Sequence, residues 1–174
     1  IICGTLAPLL WPWGLVFAWP ALALGIVSMA YIGMGPGIFL KRHGQIAWPA
    51  RLVLGPYLAG LWLSRCYFNR QRTPYQRIAS GVLCGRRLSA RGANAAIRQE
   101  GITPVLDLTA EHSEVKPFRS LTYENIQILD LTFPTPTQIK KAVDFVERQR
   151  VTGTVYVHCG LGRSRSIAVT KCFA

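Results

Sequence analysis

The pattern of apolar and polar positions divides the chain into two regions. Residues 1–40 contain no Asp, Glu, Lys, Arg or His, whereas charged residues are spread through the chain from Lys41 onward. A single helix over the first region would be about 60 Å long, twice the roughly 30 Å hydrocarbon core of a bilayer. We therefore predict two membrane-spanning helices within residues 1–40, separated by a break at Trp19 and Pro20.

Two other interpretations fit this apolar region less well. A secretory signal peptide would be shorter and would begin with basic residues. A hairpin buried in the core of a large soluble protein would be expected to contain shorter apolar stretches.

A further apolar stretch, residues 46–63, contains Arg51 and lies between two basic clusters. If this stretch crossed the membrane, one of the clusters would lie outside, against the tendency of basic residues to stay in the cytoplasm. We therefore favour a helix in the membrane interface, anchored by Trp48 and Trp62, over a third span. Residues 41–77 are accordingly predicted to be a basic juxtamembrane region.

The charge distribution supports this arrangement. The net charge is +12, and seven of the 20 basic residues but none of the 8 acidic ones lie at or before Arg77. Positive charge beside an apolar run is more typical of the cytoplasmic face of a membrane than of a nucleic-acid site. The five cysteines lack the spacing of a metal site or a disulfide framework, which favours reduced thiols. We expect a membrane location with the polar domain in the cytoplasm.

Beyond residue 78, short apolar runs alternate with helical periodicity. The predicted strands are residues 78–83, 105–108, 126–129 and 155–157. One helix is predicted over residues 90–99, ended by Gly101, and a second begins with the capping box of Thr135, Pro136 and Gln138 and ends at Gly153. This alternation predicts an α/β domain with a mainly parallel sheet flanked by helices, whose ligands gather at the carboxyl ends of the strands.

The last predicted strand leads into a candidate nucleophile loop, with Cys159 followed six positions later by Arg165. Gly160 and Gly162 allow the backbone N–H groups to converge on an anion, and the helix that follows adds its positive end. Such a site lowers the pKa of a cysteine to give a nucleophilic thiolate, while the arginine can hold two phosphoryl oxygens. Cys66 has an arginine at the same offset, but bulky residues separate the two and no strand precedes them, so we predict no site there.

The segment His158–Ser166 resembles the signature loop of the protein tyrosine phosphatase superfamily, dual-specificity branch, over residues 78–174. Its Arg-Ser-Arg-Ser ending is especially similar to that of the phosphatidylglycerophosphate phosphatases in that branch. The apolar segment followed by such a domain also resembles bacterial membrane proteins with fused phosphatases, which implies a bacterial inner-membrane location. Since the chain lacks an initial Met and only nine residues follow Arg165, we expect a fragment whose phosphatase-like domain is truncated at its C-terminus.

The resemblance also implies roles for individual residues. Asp130, 29 residues before Cys159, matches the general acid of the family, with an ordinary turn Asp as the alternative and Asp107 as the rival carboxylate. Ser166 matches the hydroxyl that stabilises the thiolate, and His158 either tunes the cysteine or is simply buried. The implied phosphate-binding residues are Gly160, Leu161, Gly162, Arg163, Ser164 and Arg165.

The predicted function is therefore hydrolysis of phosphomonoesters through a phosphocysteine, on phosphoprotein or phospholipid head groups, with no metal or cofactor. The expected partners are the phosphorylated substrate and the membrane, not nucleic acid. A catalytically inactive phosphate-binding module is the alternative, although the joint presence of the cysteine, the arginine and the aspartate argues against it. A transport protein has no support, because the predicted spans contain no ionisable residue.

Overall fold

In the computed structural model, which describes residues 14–68 and 73–173, helices are followed by alternating strands and helices. The N-terminal part comprises α1 (Leu15–Met29), β1 (Lys41–Arg42), β2 (Gln45–Ile46), α2 (Trp48–Val53) and α3 (Gly55–Phe68). The remainder comprises β3 (Tyr75–Ala79), β4 (Val82–Arg86), α4 (Ala90–Glu100), β5 (Ile102–Thr109), α5 (Lys116–Arg119), β6 (Thr122–Ile128), α6 (Pro136–Gln149), β7 (Thr154–Cys159) and α7 (Arg165–Phe173).

The five longer strands form one sheet in the order β3-β4-β7-β5-β6. β3 pairs with β4 in antiparallel fashion, and the other three pairs are parallel. One face packs on α6 and α7 through residues such as Phe145 and Val169, and the other packs on α4 and α5 through residues such as Ala93 and Phe118. The predicted α/β class with a mainly parallel sheet is confirmed, and β7 lies at the centre of the sheet.

Helix starts that were predicted from local sequence are confirmed. The Thr135 side chain accepts from the backbone N–H of Gln138, and the Gln138 side chain accepts from the backbone N–H of Thr135. α4 ends as predicted at Gly101, which is left-handed. The predicted stop at Gly153 is wrong, because α6 ends at Gln149 with a right-handed cap. Gly153 instead lies where a Cβ atom would overlap the side chain of Thr103.

The first predicted strand is also corrected by the structure. Residues 78–83 contain the turn of a hairpin, so that the predicted strand belongs partly to β3 and partly to β4. Gly81 has a φ of 72° and forms this turn with Ser80. The apolar run over residues 78–83, predicted to be one strand, therefore contributes to two antiparallel strands joined by a turn at Gly81.

The apolar N-terminal region is helical through most of its described length. α1 is followed by a π-helical segment, Ala30–Met34, with non-helical dihedral angles at Gly33, and by the 3₁₀ segment Gly35–Phe39. The break predicted at Trp19 and Pro20 is wrong, because Pro20 lies inside α1. The Trp19 indole N–H donates to the carbonyls of residues 52 and 53, at 3.1 and 3.2 Å, so this residue fixes α1 against α2.

Among the described residues, one helical stretch, Val16–Phe39, has the length and composition needed to cross a membrane, and 17% of an apolar 18-residue window within it is buried. The first of the two predicted spans lies mostly outside the described residues, so the prediction of two spans stays a prediction. The stretch predicted as an interfacial helix, residues 46–63, forms two helices, α2 and α3, that meet at Leu54. Trp48 and Trp62 are 74% and 58% exposed.

A buried ion pair joins this N-terminal region to the α/β domain. Lys41 Nζ lies 2.6 Å from Asp107 Oδ2 and donates also to the Thr109 carbonyl at 2.8 Å, and both charged side chains are fully buried. Removing one partner of such a pair costs about 3–5 kcal/mol, because the other charge is left buried and unpaired. Lys41, expected from the sequence to be an exposed juxtamembrane charge, thus attaches the N-terminal region to the sheet.

Candidate active site

The segment between β7 and α7 forms a tight loop at the carboxyl end of the central strand. Cys159, the last residue of β7, is 2% exposed, and the backbone N–H of Gly162 points to its Sγ at 3.2 Å. Gly162 has a φ of 69°, and a Cβ atom there would come within 2.7 Å of the Gly85 carbonyl carbon. A glycine is therefore required, both for the left-handed backbone and for the close packing of the loop on β4.

The environment of the sulfur favours a thiolate. Ser166 Oγ lies 3.4 Å from Cys159 Sγ. Burial raises the pKa of the Cys159 thiol, but the Ser166 hydrogen bond, the charge of Arg165 and the backbone N–H groups of Ser166 and Arg163 together lower it below its ordinary value. The loop therefore has the backbone cup and the lowered thiol pKa expected from the sequence.

Arg165 is held by a carboxylate that the sequence analysis did not identify. Its Nη1 and Nη2 atoms donate to Glu111 Oε2 and Oε1 at 3.0 and 2.7 Å, and Nη1 donates also to the Ile128 carbonyl at 2.8 Å. Glu111 is 2% exposed, and although burial raises its pKa, the charge of Arg165 lowers it below the usual value. The bidentate pair sets the orientation of the guanidinium group.

One donor of this guanidinium group has no partner within the described part of the chain. Arg165 Nε is buried and makes no hydrogen bond there. A buried arginine donor left unpaired is costly unless a ligand completes it, so this atom is suited to an oxyanion at the loop.

Asp130 lies in the same site, as the family resemblance implied. Its Oδ1 accepts from Arg165 Nη2 at 2.9 Å, and its side chain is 32% exposed. Its backbone carbonyl accepts from the Tyr31 hydroxyl at 3.0 Å, so the N-terminal region contacts the loop that carries this carboxylate. Cys159, Arg165, Asp130 and Ser166 are thus brought together.

The remaining residues of the predicted phosphate-binding loop differ in placement. Gly160 is buried and Leu161 is half-buried, and both line a cavity with Arg165. Arg163 and Ser164 are exposed. The Arg163 guanidinium group lies over the Phe68 ring at 5.5 Å and lines a separate cavity of about 570 Å³. The Arg163 side chain therefore does not line the cavity that Arg165 lines, whereas its backbone N–H contributes to the lowered pKa of Cys159.

The cavity above the loop has a volume of only about 30 Å³ and is shared between the two regions of the chain. The α/β domain supplies Glu111, His112, Asp130, Gly160, Leu161 and Arg165. α3 supplies Leu61, Ser64 and Arg65. The site is therefore a composite in which an N-terminal helix forms one wall.

The residues that the sequence analysis missed had weak signals. Glu111 and His112 follow the end of β5, the strand that carries Asp107. Glu111 is thus a second carboxylate near the strand end at which the sequence had already indicated Asp107. Leu61, Ser64 and Arg65 carry no local motif. Cys66, for which the sequence analysis predicted no nucleophile site, lies in the helix α3 and not in a loop.

Asp107, Glu114 and His158 form the one cluster among the described residues with spacing suited to a metal ion, with ligand atoms within 4.8 Å of one another. Lys41 already donates to Asp107, and His158 Nε2 lies 3.0 Å from Glu114 Oε2. Burial lowers the pKa of His158, but the charge of Glu114 and that of Asp107 raise it above its usual value. Lys41 thus balances the charge of Asp107, which has a structural role, and Glu114 lies beside His158.

Comparison with known proteins agrees with this geometry. A family model described as "Polymorphic toxin system, DSP-PTPase phosphatase" matches residues 83–174, just over half of the chain. No curated protein matches the chain.

Two solved structures share the fold. The crystal structure of Tk-PTP in the active form has a TM-score of 0.52 and 21% sequence identity, covering 59% of this chain and 73% of that one. The crystal structure of PTPMT1 in complex with PI(5)P has a TM-score of 0.51 and 21% identity, covering 58% of this chain and 71% of that one. At this level of identity the similarity concerns the fold alone.

The hydrogen bond from Ser166 should set the reactivity of Cys159. A thiolate reacts with iodoacetamide and a thiol does not, so a lowered pKa extends alkylation to lower pH. Ser166→Ala removes a group that lowers the pKa, and we expect the midpoint of Cys159 alkylation, followed by peptide mass spectrometry, to move to higher pH. Ser120→Ala, on an exposed turn, is the control and should leave the midpoint in place. An unchanged midpoint in Ser166→Ala would contradict this view of the sulfur.

Proposed function

Because the chain belongs to the DSP-PTPase phosphatases of polymorphic toxin systems, within the protein tyrosine phosphatase superfamily, we propose that it hydrolyses phosphomonoesters through a phosphocysteine on Cys159. The observation that carries this proposal is the lowered pKa of a buried cysteine 3.2 Å from the Gly162 N–H and beside the charge of Arg165. The family membership makes the chain a phosphatase. The cysteine mechanism and the substrate are our inference.

In the first step, the Cys159 thiolate attacks phosphorus in line with the departing oxygen, forming the S–P bond as the P–O bond breaks. Arg165 would hold the phosphoryl oxygens through Nη2 and through Nε, which is buried and has no partner among the described residues. The pair with Glu111 holds this fork in place, so that little reorganisation is needed as charge shifts in the transition state.

Asp130 is the proposed proton donor to the departing oxygen. Its carboxylate contacts Arg165 Nη2, which is also a donor for the phosphoryl group. Substrate binding would therefore compete for Nη2 and leave the Asp130 carboxyl group directed to the leaving group. In the second step, water attacks phosphorus, Asp130 accepts its proton and the Cys159 thiolate departs, stabilised by Ser166. Apart from the substrate and this water molecule, these steps use only groups of the chain itself.

An inactive phosphate-binding module is less well supported. Binding alone would require the loop and Arg165, but not a lowered thiol pKa or a carboxylate in contact with the phosphate-binding fork. The presence of both favours turnover over binding.

We further propose that the substrate is a phospholipid head group at a membrane surface. α3 supplies Ser64 and Arg65 to the catalytic cavity, and the same helix exposes Trp62 and Leu63 to 58% and 64%. The cavity therefore lies beside apolar surface, which suits a lipid substrate better than a phosphoprotein. The fold is shared with PTPMT1, whose crystal structure contains PI(5)P.

Membrane attachment through the N-terminal region completes the proposal. Its support is the apolar stretch Val16–Phe39, together with exposed apolar side chains such as Ile32, which is 84% exposed. We propose that the α/β domain lies on the cytoplasmic side. The described cysteines, Cys66, Cys84, Cys159 and Cys172, are all free thiols, which agrees with a reducing compartment.

Cys159→Ser should abolish hydrolysis of p-nitrophenyl phosphate. A serine hydroxyl at this position does not ionise as readily as the thiol. It therefore does not attack phosphorus to form a covalent O–P intermediate at a useful rate. The full chain would be assayed in detergent micelles with a chelator present, beside Cys172→Ser, an exposed cysteine, as the matched control. Undiminished turnover in Cys159→Ser would overturn the proposed mechanism.

Asp130→Asn should reduce turnover most for substrates with poor leaving groups. General acid catalysis contributes about a hundredfold or more when the departing oxygen must be protonated, and much less when it leaves as a stabilised phenolate. We therefore expect a larger fall in kcat with an alkyl phosphate than with p-nitrophenyl phosphate. Asp144→Asn, part of a surface ion pair, is the control, and equal losses on both substrates would argue against the acid role.

Membrane attachment and orientation can be tested together in cells. We expect the full chain to remain in the membrane fraction after carbonate extraction, and the α/β domain to be digested in inverted vesicles but not in intact spheroplasts. Release into the soluble fraction would contradict attachment, and digestion in spheroplasts would contradict the orientation.

A further inference from the structure

α3, which lies outside the residues matched by the family model, reaches two neighbouring cavities. Arg65 lines both the catalytic cavity of about 30 Å³ and a cavity of about 560 Å³. The larger cavity also contains Arg86 and Arg87, at the end of β4. A group held there would lie next to a phosphoryl group at Arg165, because one side chain forms part of both walls.

The larger cavity is strongly cationic. Three arginines line it, and none of the described residues that line it is acidic. Ser89 caps the N-terminus of α4 at this cavity, which adds the positive end of an 11-residue helix. Within the described part of the chain, no carboxylate forms an ion pair with Arg65.

The arginines line one cavity despite their like charge. Arg87 is fixed by two hydrogen bonds from its guanidinium group to the Ser113 carbonyl. Burial lowers the pKa of Arg65, and the charges of Arg87 and Arg86 lower it further, against the opposing effects of Cys66 and Glu114. Several like charges around one cavity favour the binding of an anion there.

His112 connects this cluster to the catalytic cavity. It lines the catalytic cavity, and burial together with the charges of Arg87, Arg65 and Arg165 lowers its pKa to about 4, against the opposing effect of Glu111. His112 is therefore neutral at neutral pH and adds no charge. The imidazole ring lines the same cavity as Arg65 and Arg165, so it lies beside the arginine that the two cavities share.

We propose that Arg65 and Arg87 form a second anion subsite, so that preferred substrates carry a second phosphate group beside the phosphomonoester held at Arg165. This inference rests on the proposed function, because it names the substrate class of the same site. The second group is a phosphate monoester or diester, and it can belong to a soluble bisphosphate or to a lipid head group. Arg65 is thereby a specificity-determining residue.

Binding to the full-length Cys159→Ser variant in detergent micelles tests the subsite without requiring turnover. The probes are alkanediol bisphosphates of increasing length and the monophosphates of the same diols, measured by titration calorimetry. We expect one length of bisphosphate to bind about tenfold or more tightly than its monophosphate, as one charge-assisted contact predicts. PI(5)P in the micelles is the lipid probe. Its binding is compared with that of a singly charged monophosphate that has no lipid tail.

Variants separate the subsite from a general effect on folding. Arg65→Gln in the same background should remove the preference for the second phosphate, and Arg65→Lys should restore part of it. Arg98→Gln, an equal loss of charge at an exposed position of α4 that lines neither cavity, should keep the full preference.

The outcomes are distinct. A preference that depends on Arg65 with soluble bisphosphates supports the subsite for free phosphates, and one seen with PI(5)P alone supports it for lipid head groups. Equal affinity for both classes of probe, or a preference that Arg65→Gln leaves intact, would overturn the inference. Since no turnover is needed, an inactive wild-type protein would remove the proposed function while leaving this result to stand on its own.

Discussion

The buried guanidinium group of Arg165 is the interaction on which the site depends. It joins Glu111 after β5, the Ile128 carbonyl at the end of β6 and Asp130 in the following loop. Because β7 lies in the middle of the sheet, an arginine at the start of α7 can reach the ends of both strands. The same residue contributes to the lowered pKa of Cys159, so positioning of the loops and activation of the sulfur have a common physical origin.

A second buried charge makes the N-terminal region part of the same unit. Lys41 reaches Asp107 on β5, and the Tyr31 hydroxyl contacts the backbone of Asp130. From the same region, α3 forms one wall of the cavity that Arg165 lines. The region first recognised as apolar and suited to a membrane is therefore also a component of the site, which couples the proposed membrane surface to the proposed chemistry.

Prediction from the sequence succeeded where the interactions are local. The capping box at Thr135 and the glycine stop at Gly101 depend on residues a few positions apart, and both were found as expected. It failed where packing overrides local preference. Pro20 continues a helix that is held by the Trp19 indole, and Gly153 is required by the close approach of Thr103 and not by a left-handed cap.

By itself, the sequence determined the α/β class, the loop between Cys159 and Arg165 and the presence of an apolar N-terminal region, since each follows from the spacing of nearby residues. Only the tertiary structure decided that Glu111, 54 residues away, holds Arg165, and that Lys41 is buried against Asp107, 66 residues away. It alone also placed Arg65 between two cavities. Such pairs depend on strand order and on helix docking, and no short-range pattern of residues encodes either of them.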